Sequence, residues 1–137
     1  MSLIMSPEEA LVFVENLSFV WWEKAWHIWG GRIGPLPASR INKRLKSTAG
    51  RAFIMADQPY SDYSLYLLNK YRQEFENDTI PHELSHHIAW RVWKDRGHGK
   101  AWKQVAERLY GSCARTHTME SEYQAKQRMG KTPRSGA

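Results

Sequence analysis

Cysteine is almost absent from this chain of 137 residues, which contains only Cys113. A single thiol cannot form an internal disulfide, so we expect a reducing location such as the cytoplasm. No run of about 18 apolar residues is present, which argues against a membrane-spanning helix. The N-terminal residues lack a charged segment followed by an apolar run, so we expect neither a signal peptide nor a membrane partner.

Motifs of several other enzyme classes are also missing. The sequence has no glycine-rich phosphate-binding loop, no G-x-S-x-G nucleophile elbow and no cysteine-based zinc knuckle. Internal repeats and low-complexity tracts are absent as well. These absences argue against a P-loop nucleotide hydrolase, a serine hydrolase of the elbow type and a repeat architecture.

Among the charged residues of the chain, basic residues outnumber acidic residues. The chain has 20 Lys and Arg against 14 Asp and Glu, a formal net charge of +6. Such a balance favours polyanions such as nucleic acids, although charge alone carries no sequence readout. The densest basic patch consists of Arg40, Lys43, Arg44, Lys46 and Arg51. We interpret it either as a track for phosphates or as a solvated sheet face whose charges discourage edge pairing.

The strongest motif is His-Glu-Leu-Ser-His at residues 82–86, an H-E-x-x-H pattern. Positions four apart lie on one face of a helix, so His82 and His86 can direct two imidazoles at one ion. Glu83 is about 100° further round the helix, beside the ion, where it can accept a proton from an activated water. His98 lies far enough along the chain to return a third nitrogen. The pattern predicts one zinc ion held by His82, His86 and His98, with Glu83 as the catalytic base.

The remaining pattern predicts an α+β fold. A first helix begins at Ser6-Pro7-Glu8-Glu9 with a capping box and ends at Gly30-Gly31. We interpret its tryptophans mainly as core residues, with one or two exposed: Trp21, Trp22, Trp26 and Trp29. A last helix over Lys100–Tyr110 directs four apolar residues inward: Trp102, Val105, Ala106 and Leu109.

Between these helices, residues 39–69 lack a helical period. They predict three short strands, Ile41–Lys46, Ala49–Met55 and Tyr63–Leu68. The motif helix covers Tyr71–Trp93 and starts either near Asp78 or earlier with a kink at Pro81. The predicted architecture is a small three-stranded antiparallel sheet packed against helices, with a zincin-like H-E-x-x-H helix. We expect one domain over residues 1–127 and a flexible basic tail over residues 128–137.

The segments Pro81–His87 and His98–Trp102 resemble the SprT-like zinc metalloprotease family, which includes bacterial SprT and the eukaryotic DNA–protein crosslink protease Spartan. Arg115-Thr116-His117 is similar to a segment after the last helix of bacterial SprT. The resemblance covers residues 8–120 and implies a zinc-dependent peptidase acting on DNA-associated or DNA-crosslinked proteins. We therefore expect a protein substrate, DNA as a further partner and a monomeric state.

The chain departs from this family at its cysteines. Bacterial SprT proteins usually carry a C-terminal zinc ribbon built on four cysteines, whereas this chain has only Cys113. We therefore expect a short form without the ribbon and without a second, structural zinc. We expect His87 to point away from the metal, while His117 is interpreted as either a structural or a site-flanking residue.

Two other functions compete with the peptidase. A non-catalytic, zinc-stabilised module that binds DNA or protein is the main alternative. A structural zinc site usually has four protein ligands, and three histidines with a nearby glutamate favour catalysis instead. A metal-dependent nuclease is less favoured, because such enzymes usually collect carboxylates around hard ions such as magnesium.

Overall fold

The computed structural model describes residues 4–111, which form a mixed arrangement of helices and strands, and confirms the predicted α+β class. In chain order the elements are α1 (Pro7–Trp29), a 3-10 turn (Gly30–Ile33), β1 (Ala38–Asn42), β2 (Gly50–Phe53), β3 (Tyr60–Ser64), α2 (Leu65–Lys70), α3 (Arg72–Glu74), a π-helical turn (Phe75–Thr79), α4 (Ile80–Trp93) and α5 (Lys100–Tyr110). Within this described part, no helix has the length and apolar character needed to cross a membrane.

The predicted capping box fixes the start of α1. The Glu9 N–H donates to Ser6 Oγ at 3.1 Å, and the Ser6 N–H donates to the Glu9 carboxylate at 2.9 Å. Donation from the Ser6 backbone N–H to the carboxylate lowers the pKa of Glu9, and the two hydrogen bonds satisfy two donors at the start of the helix. At the other end Gly30 has φ of 72°, a left-handed value that favours glycine, and α1 ends there as predicted.

The sheet has the strand order β1-β3-β2, so β3 is central and β2 is an edge strand of the described sheet. β2 runs antiparallel to β3, with Phe53 opposite Tyr60, as predicted. β1 runs parallel to β3, which corrects the expected all-antiparallel arrangement. Parallel strands need a crossover connection, and the segment 43–59, which contains β2, provides it.

The last predicted strand is also corrected, because Leu65–Lys70 forms the helix α2. Ser64 ends β3 and caps this helix: its Oγ accepts the Leu67 N–H at 3.0 Å and donates to the Leu45 carbonyl at 2.7 Å. Leu67 and Leu68 are both fully buried. Burial at consecutive positions suits a helix between the sheet and the core, whereas a half-buried strand alternates.

The motif helix α4 continues an irregular helical segment that begins at Arg72. In the π-helical turn before it, the Ile80 N–H bonds to the Phe75 carbonyl five residues earlier. Pro81 then occupies the first turn of α4, where its missing N–H costs least. Of the two starts that the sequence allowed, the earlier one is observed, and the irregularity is a π-helical turn before Pro81, whereas the sequence predicted a kink at Pro81.

The core lies where α1, the sheet and the α4–α5 pair meet. The first ten residues of α4, Ile80–Ala89, are all buried. α5 buries the four apolar residues that the sequence predicted to face inward. Among the tryptophans, Trp22 is buried, Trp21 and Trp29 pack partly against the core, and Trp26 is 50% exposed, which confirms the mixed interpretation.

Candidate metal centre

Three histidines meet at one end of α4. His82 and His86 are one helical turn apart on α4, and His98 arrives from the loop between α4 and α5. His82 is fully buried, His86 is 7% exposed and His98 is partly buried. The structure thus brings together the three ligands that the H-E-x-x-H spacing and the later histidine predicted.

The spacing of the three rings suits a tetrahedral metal ion. One ligand nitrogen from each of the three histidines lies within 4.8 Å of the others. The Nε2 atoms of His82 and His98 are 3.3 Å apart. Two nitrogens at about 2.0–2.1 Å from a tetrahedral zinc would be separated by about 3.3 Å. The three histidines are therefore close enough to hold a metal ion.

A buried tryptophan shapes the back of this site. The Trp102 ring lies 4.9 Å from the His82 ring, 5.4 Å from the His86 ring and 4.5 Å from the His98 ring, measured between centroids. Trp102 is fully buried on α5. Its large rigid surface restricts the orientation of all three imidazoles, a role that inward-facing periodicity alone did not reveal.

Glu83 lies beside the histidines and is not a member of their group. Its Oε2 is 4.0 Å from His82 Nε2, and the side chain is 1% exposed. Gly50 on β2 makes room for it, because a Cβ there would lie 3.1 Å from Glu83 Cγ and 3.1 Å from the Tyr63 ring. Burial and the Glu83 charge raise the pKa of Tyr63 above its usual range, so its hydroxyl stays protonated.

The loop that carries His98 is organised by Asp95. Its carboxylate accepts the Gly97 N–H at 3.0 Å and the Trp102 N–H at 3.0 Å. Burial opposes ionisation of Asp95, but backbone donors from Trp102, Gly97 and Gly99 outweigh it and lower the pKa. A Cβ on Gly99 would meet the Asp95 carboxylate at 2.8 Å. Asp95 thus accepts an N–H of the first turn of α5 and holds the loop from which His98 approaches the other two histidines.

A tyrosine that the sequence did not assign to the site contacts His82, the first of the predicted ligands. The Tyr110 hydroxyl lies 3.4 Å from His82 Nδ1, leaving Nε2 to face the other histidines. Metal-bound imidazoles usually donate their other N–H to an acceptor that fixes the ring. The sequence contained one signal for this contact: Tyr110 follows Trp102 by eight residues, which places it near the inward side of the same helix.

Replacing Tyr110 by Phe removes only this hydroxyl. We expect the zinc dissociation constant to rise about tenfold, the lower end of the range for partners of metal ligands. Competition with a chromophoric chelator measures this affinity directly. Tyr66→Phe is the matched control, because Tyr66 is 43% exposed on α2. Equal zinc affinity in Tyr110→Phe and the parent protein would show that Tyr110 does not position His82.

His87 has a separate role from the neighbouring His86. Its Nε2 lies 2.9 Å from Ser61 Oγ on the central strand. Burial, reinforced by the Arg91 charge, lowers the pKa of His87 to about 3, so the ring is neutral. As expected, His87 is not part of the histidine group that could hold a metal ion, and its ring instead contacts Ser61.

A cleft of about 310 Å³ lies at the site. Its lining consists of the segment 51–54, from β2 and the residue after it, the segment 96–98 of the loop, and Glu83 and His86 of α4. A molecule entering the cleft would therefore meet the edge of the sheet, the histidine group and Glu83 together.

The predicted basic patch divides into two parts. Arg40, Lys43, Arg44 and Lys46 are exposed on β1 and the loop after it. The Arg40 guanidinium also lies 3.8 Å from the centroid of the Tyr60 ring. Arg51 instead borders the cleft and forms an ion pair with Asp62 at 2.9 Å. The exposed part is thus the stretch 40–46.

Some predicted features lie outside the described residues 4–111. These are Cys113, His117, the boundary at residue 127 and the tail over residues 128–137. They stay predictions. His27, which the sequence did not assign, is exposed on α1.

The fold and site define a mixed helix-and-strand protein whose three clustered histidines can hold a metal ion. The SprT-like family model matches residues 23–129, and the chain belongs to this family. Protein SprT of Vibrio parahaemolyticus is 36% identical over 86 residues, which cover 62% of this chain and 50% of that protein. Protein SprT of an Enterobacter species is 38% identical over 94 residues, covering 67% of this chain and 55% of that protein.

The chain therefore spans about half the length of the curated relatives it matches. Protein SprT of Vibrio atlanticus shows the same relation, with 34% identity over 88 residues that cover 63% of this chain and 51% of that protein. No solved structure matches the chain significantly.

Proposed function

We propose that this chain is a zinc-dependent metallopeptidase that hydrolyses peptide bonds of DNA-associated or DNA-crosslinked proteins. The observation that carries the proposal is the position of Glu83. Its carboxylate is buried 4.0 Å from His82 and lines the same cleft as His86 and His98. A zinc site that only stabilised the fold would have no use for a buried carboxylate at an open cleft.

Zinc is the proposed ion because of the donor set. Three imidazoles and one open position are typical of catalytic zinc sites, whereas magnesium and calcium prefer oxygen ligands. When bound, zinc polarises the scissile carbonyl and makes water more acidic. His82, His86 and His98 would hold the ion, and Tyr110 and Trp102 would keep their rings in place.

Glu83 is the proposed general base and acid. Its carboxylate accepts a proton from the attacking water and then delivers that proton to the leaving amide nitrogen. The cleft supports this role, because Glu83 is one of the residues lining it. Gly50 supports it too, because a larger residue there would press on the Glu83 side chain.

The edge strand β2 is the proposed platform for the substrate. Its residues Ala52 and Phe53 line the cleft, and in the described sheet β2 pairs only with β3. An extended peptide can add to such an edge through backbone hydrogen bonds, which are independent of side-chain identity. The peptide backbone would then pass over the histidine group.

DNA association is proposed from the family and from the basic stretch 40–46. Its four exposed cations are Arg40, Lys43, Arg44 and Lys46. Contacts of this kind neutralise phosphates and supply affinity without reading base sequence. Such binding would bring crosslinked proteins to the cleft and suits a peptidase with weak sequence preference.

The proposed function is tested with a protein crosslinked to single-stranded DNA and with the same protein free of DNA. We expect the zinc-loaded enzyme to cleave both substrates, the crosslinked form faster, as followed by fragments on a gel. A chelator should stop cleavage until zinc is restored. Binding of zinc and DNA without any fragment would instead indicate the non-catalytic binding module.

The basic stretch is tested by replacing Lys43, Arg44 and Lys46 with Ala together. Affinity for single-stranded DNA is expected to fall, and its logarithmic salt slope to decrease by about 2, since each phosphate contact contributes about 0.7. Fluorescence anisotropy at several salt concentrations measures the slope. The matched control replaces Lys24, Lys103 and Arg108, which are also exposed. Equal slopes for the two triple variants would contradict the assignment.

A further inference from the structure

Two arginines border the cleft, and their surroundings differ. Arg51 is bound to Asp62 through two hydrogen bonds, Nε to Oδ1 at 3.2 Å and Nη2 to Oδ2 at 2.9 Å. This pairing raises the pKa of Arg51 and directs its guanidinium at Asp62. The Arg51 charge is therefore largely balanced within the sheet.

Arg96 lines the cleft from the loop between α4 and α5. Its Nη1 contacts Met55 Sδ at 3.8 Å, and a thioether sulfur is a weak acceptor. Within residues 4–111 no carboxylate forms an ion pair with Arg96. Glu83 is the only acidic residue among those that line the cleft in this part of the chain, and it is buried beside the histidines. Among the described residues, Arg96 is thus a positive charge of the cleft lining without a carboxylate partner.

The backbone around Arg96 is fixed by its neighbours. Asp95 accepts the N–H groups of Gly97 and Trp102, so the loop has a defined path on both sides of Arg96. Arg96 precedes His98 by two residues, and two residues span at most about 7 Å between Cα atoms. An extended peptide advances about 3.3 Å per residue. From this position the Arg96 side chain can reach substrate residues within about two positions of the bond beside the histidines.

We propose that Arg96 is a specificity residue that selects peptides with an acidic side chain within about two residues of the scissile bond. This inference rests on the proposed peptidase function. A carboxylate is the counter-ion that a guanidinium binds with two parallel hydrogen bonds. A peptide is favoured over a nucleic acid phosphate because Arg96 shares its cleft with Glu83 and His86, whereas the exposed stretch 40–46 does not line it.

The test uses one extended, otherwise neutral peptide with a single Glu, Gln or Lys at each position from three before to three after the cut. At one of these positions we expect kcat/KM for the Glu peptide to exceed that for the Gln peptide by about five- to tenfold. This factor lies between the effect of an exposed ion pair and that of a charge-assisted hydrogen bond. Arg96→Ala should bring this ratio to about one. Arg96→Glu should favour Lys over Gln at the same position.

Arg108→Glu is the matched control, since Arg108 is exposed on α5 and the change in net charge is the same. It should keep the parental ratio of Glu to Gln. Absence of a Glu preference at every position would overturn the proposal, as would a preference that persists in Arg96→Ala. If Arg96→Ala lost affinity for a single-stranded oligonucleotide but showed no change in the peptide ratio, the contact would belong to phosphate, and the proposal would also be wrong.

A binding experiment separates this inference from the proposed function. The Glu83→Gln variant, loaded with zinc, is titrated with fluorescent Glu and Gln peptides, so that affinity is measured without cleavage. Tighter binding of the Glu peptide that disappears in Glu83→Gln/Arg96→Ala would support Arg96 even if the parent protein cleaved nothing. Equal binding of both peptides by both variants would overturn the specificity proposal whatever the cleavage result.

Discussion

Replacing Glu83 by Gln is expected to lower kcat for peptide hydrolysis by about 10²- to 10⁴-fold, the contribution of a positioned general base. Gln has nearly the same shape as Glu but cannot take up the proton of the attacking water. Because Glu83 is outside the group of three histidines, the variant should bind one zinc ion as tightly as the parent protein. The fluorescence of a quenched peptide measures the rate, and metal analysis after dialysis measures the zinc content.

The control for this result is Glu107→Gln, since Glu107 is exposed on α5 and is not among the described residues that line the cleft. It should leave both the rate and the zinc content unchanged. If Glu83→Gln lost its zinc, the carboxylate would act on the metal site and not as a base. If it kept the parental rate, and a chelator did not inhibit either protein, the measured cleavage would come from a contaminant.

Replacing His98 by Ala is expected to weaken zinc binding at least 100-fold. This loss of affinity is larger than the usual effect of removing a side chain that only hydrogen-bonds to a ligand. His98 is partly buried in a loop, so its removal should cost the fold less than removal of the fully buried His82. With free zinc at 100 times the parental dissociation constant, binding should stabilise the parent protein by about 2.7 kcal/mol. At the same free zinc concentration, binding should stabilise the variant by only about 0.4 kcal/mol.

Thermal unfolding with and without zinc measures this difference. The parental melting temperature should rise by roughly 10 °C with zinc, and that of the variant by roughly 2 °C. The control is His27→Ala, because His27 is exposed on α1 and distant in sequence from the site. An equal zinc-induced shift in His98→Ala and the parent protein would mean that His98 is not a ligand.

Features that depend on neighbouring residues were predicted well. The capping box at Ser6 and Glu9, the end of α1 at Gly30 and the inward face of α5 all follow from contacts within one or two turns. The pairing of His82 with His86 belongs to the same class, because a four-residue spacing on a helix fixes which face they share. The start of the motif helix was predicted only as two alternatives, near Asp78 or earlier, since Pro81 allows both.

Features that depend on distant pairing were predicted poorly. The pattern of residues 39–69 predicts that strands exist, but it contains no information on which strand is central or whether a pair is parallel. The crossover that makes β1 parallel to β3 depends on where residues 43–59 can pass. Leu65–Lys70 is a helix because Ser64 caps it and two consecutive leucines, Leu67 and Leu68, are buried in the core. The spacing of Tyr63 and Leu65 predicted a strand here instead.

The sequence by itself predicted the three histidines as ligands, Glu83 as the proton acceptor and the family. These predictions follow from residue identity and short spacing, and the structure brings the three histidines close enough to bind a metal ion. Only the tertiary structure decided what surrounds the site: Tyr110 beside His82, Gly50 beside Glu83 and Arg96 in the lining of the cleft. Each of these contacts joins elements that are separate along the chain, and their meeting depends on how the whole core packs, which no local pattern encodes.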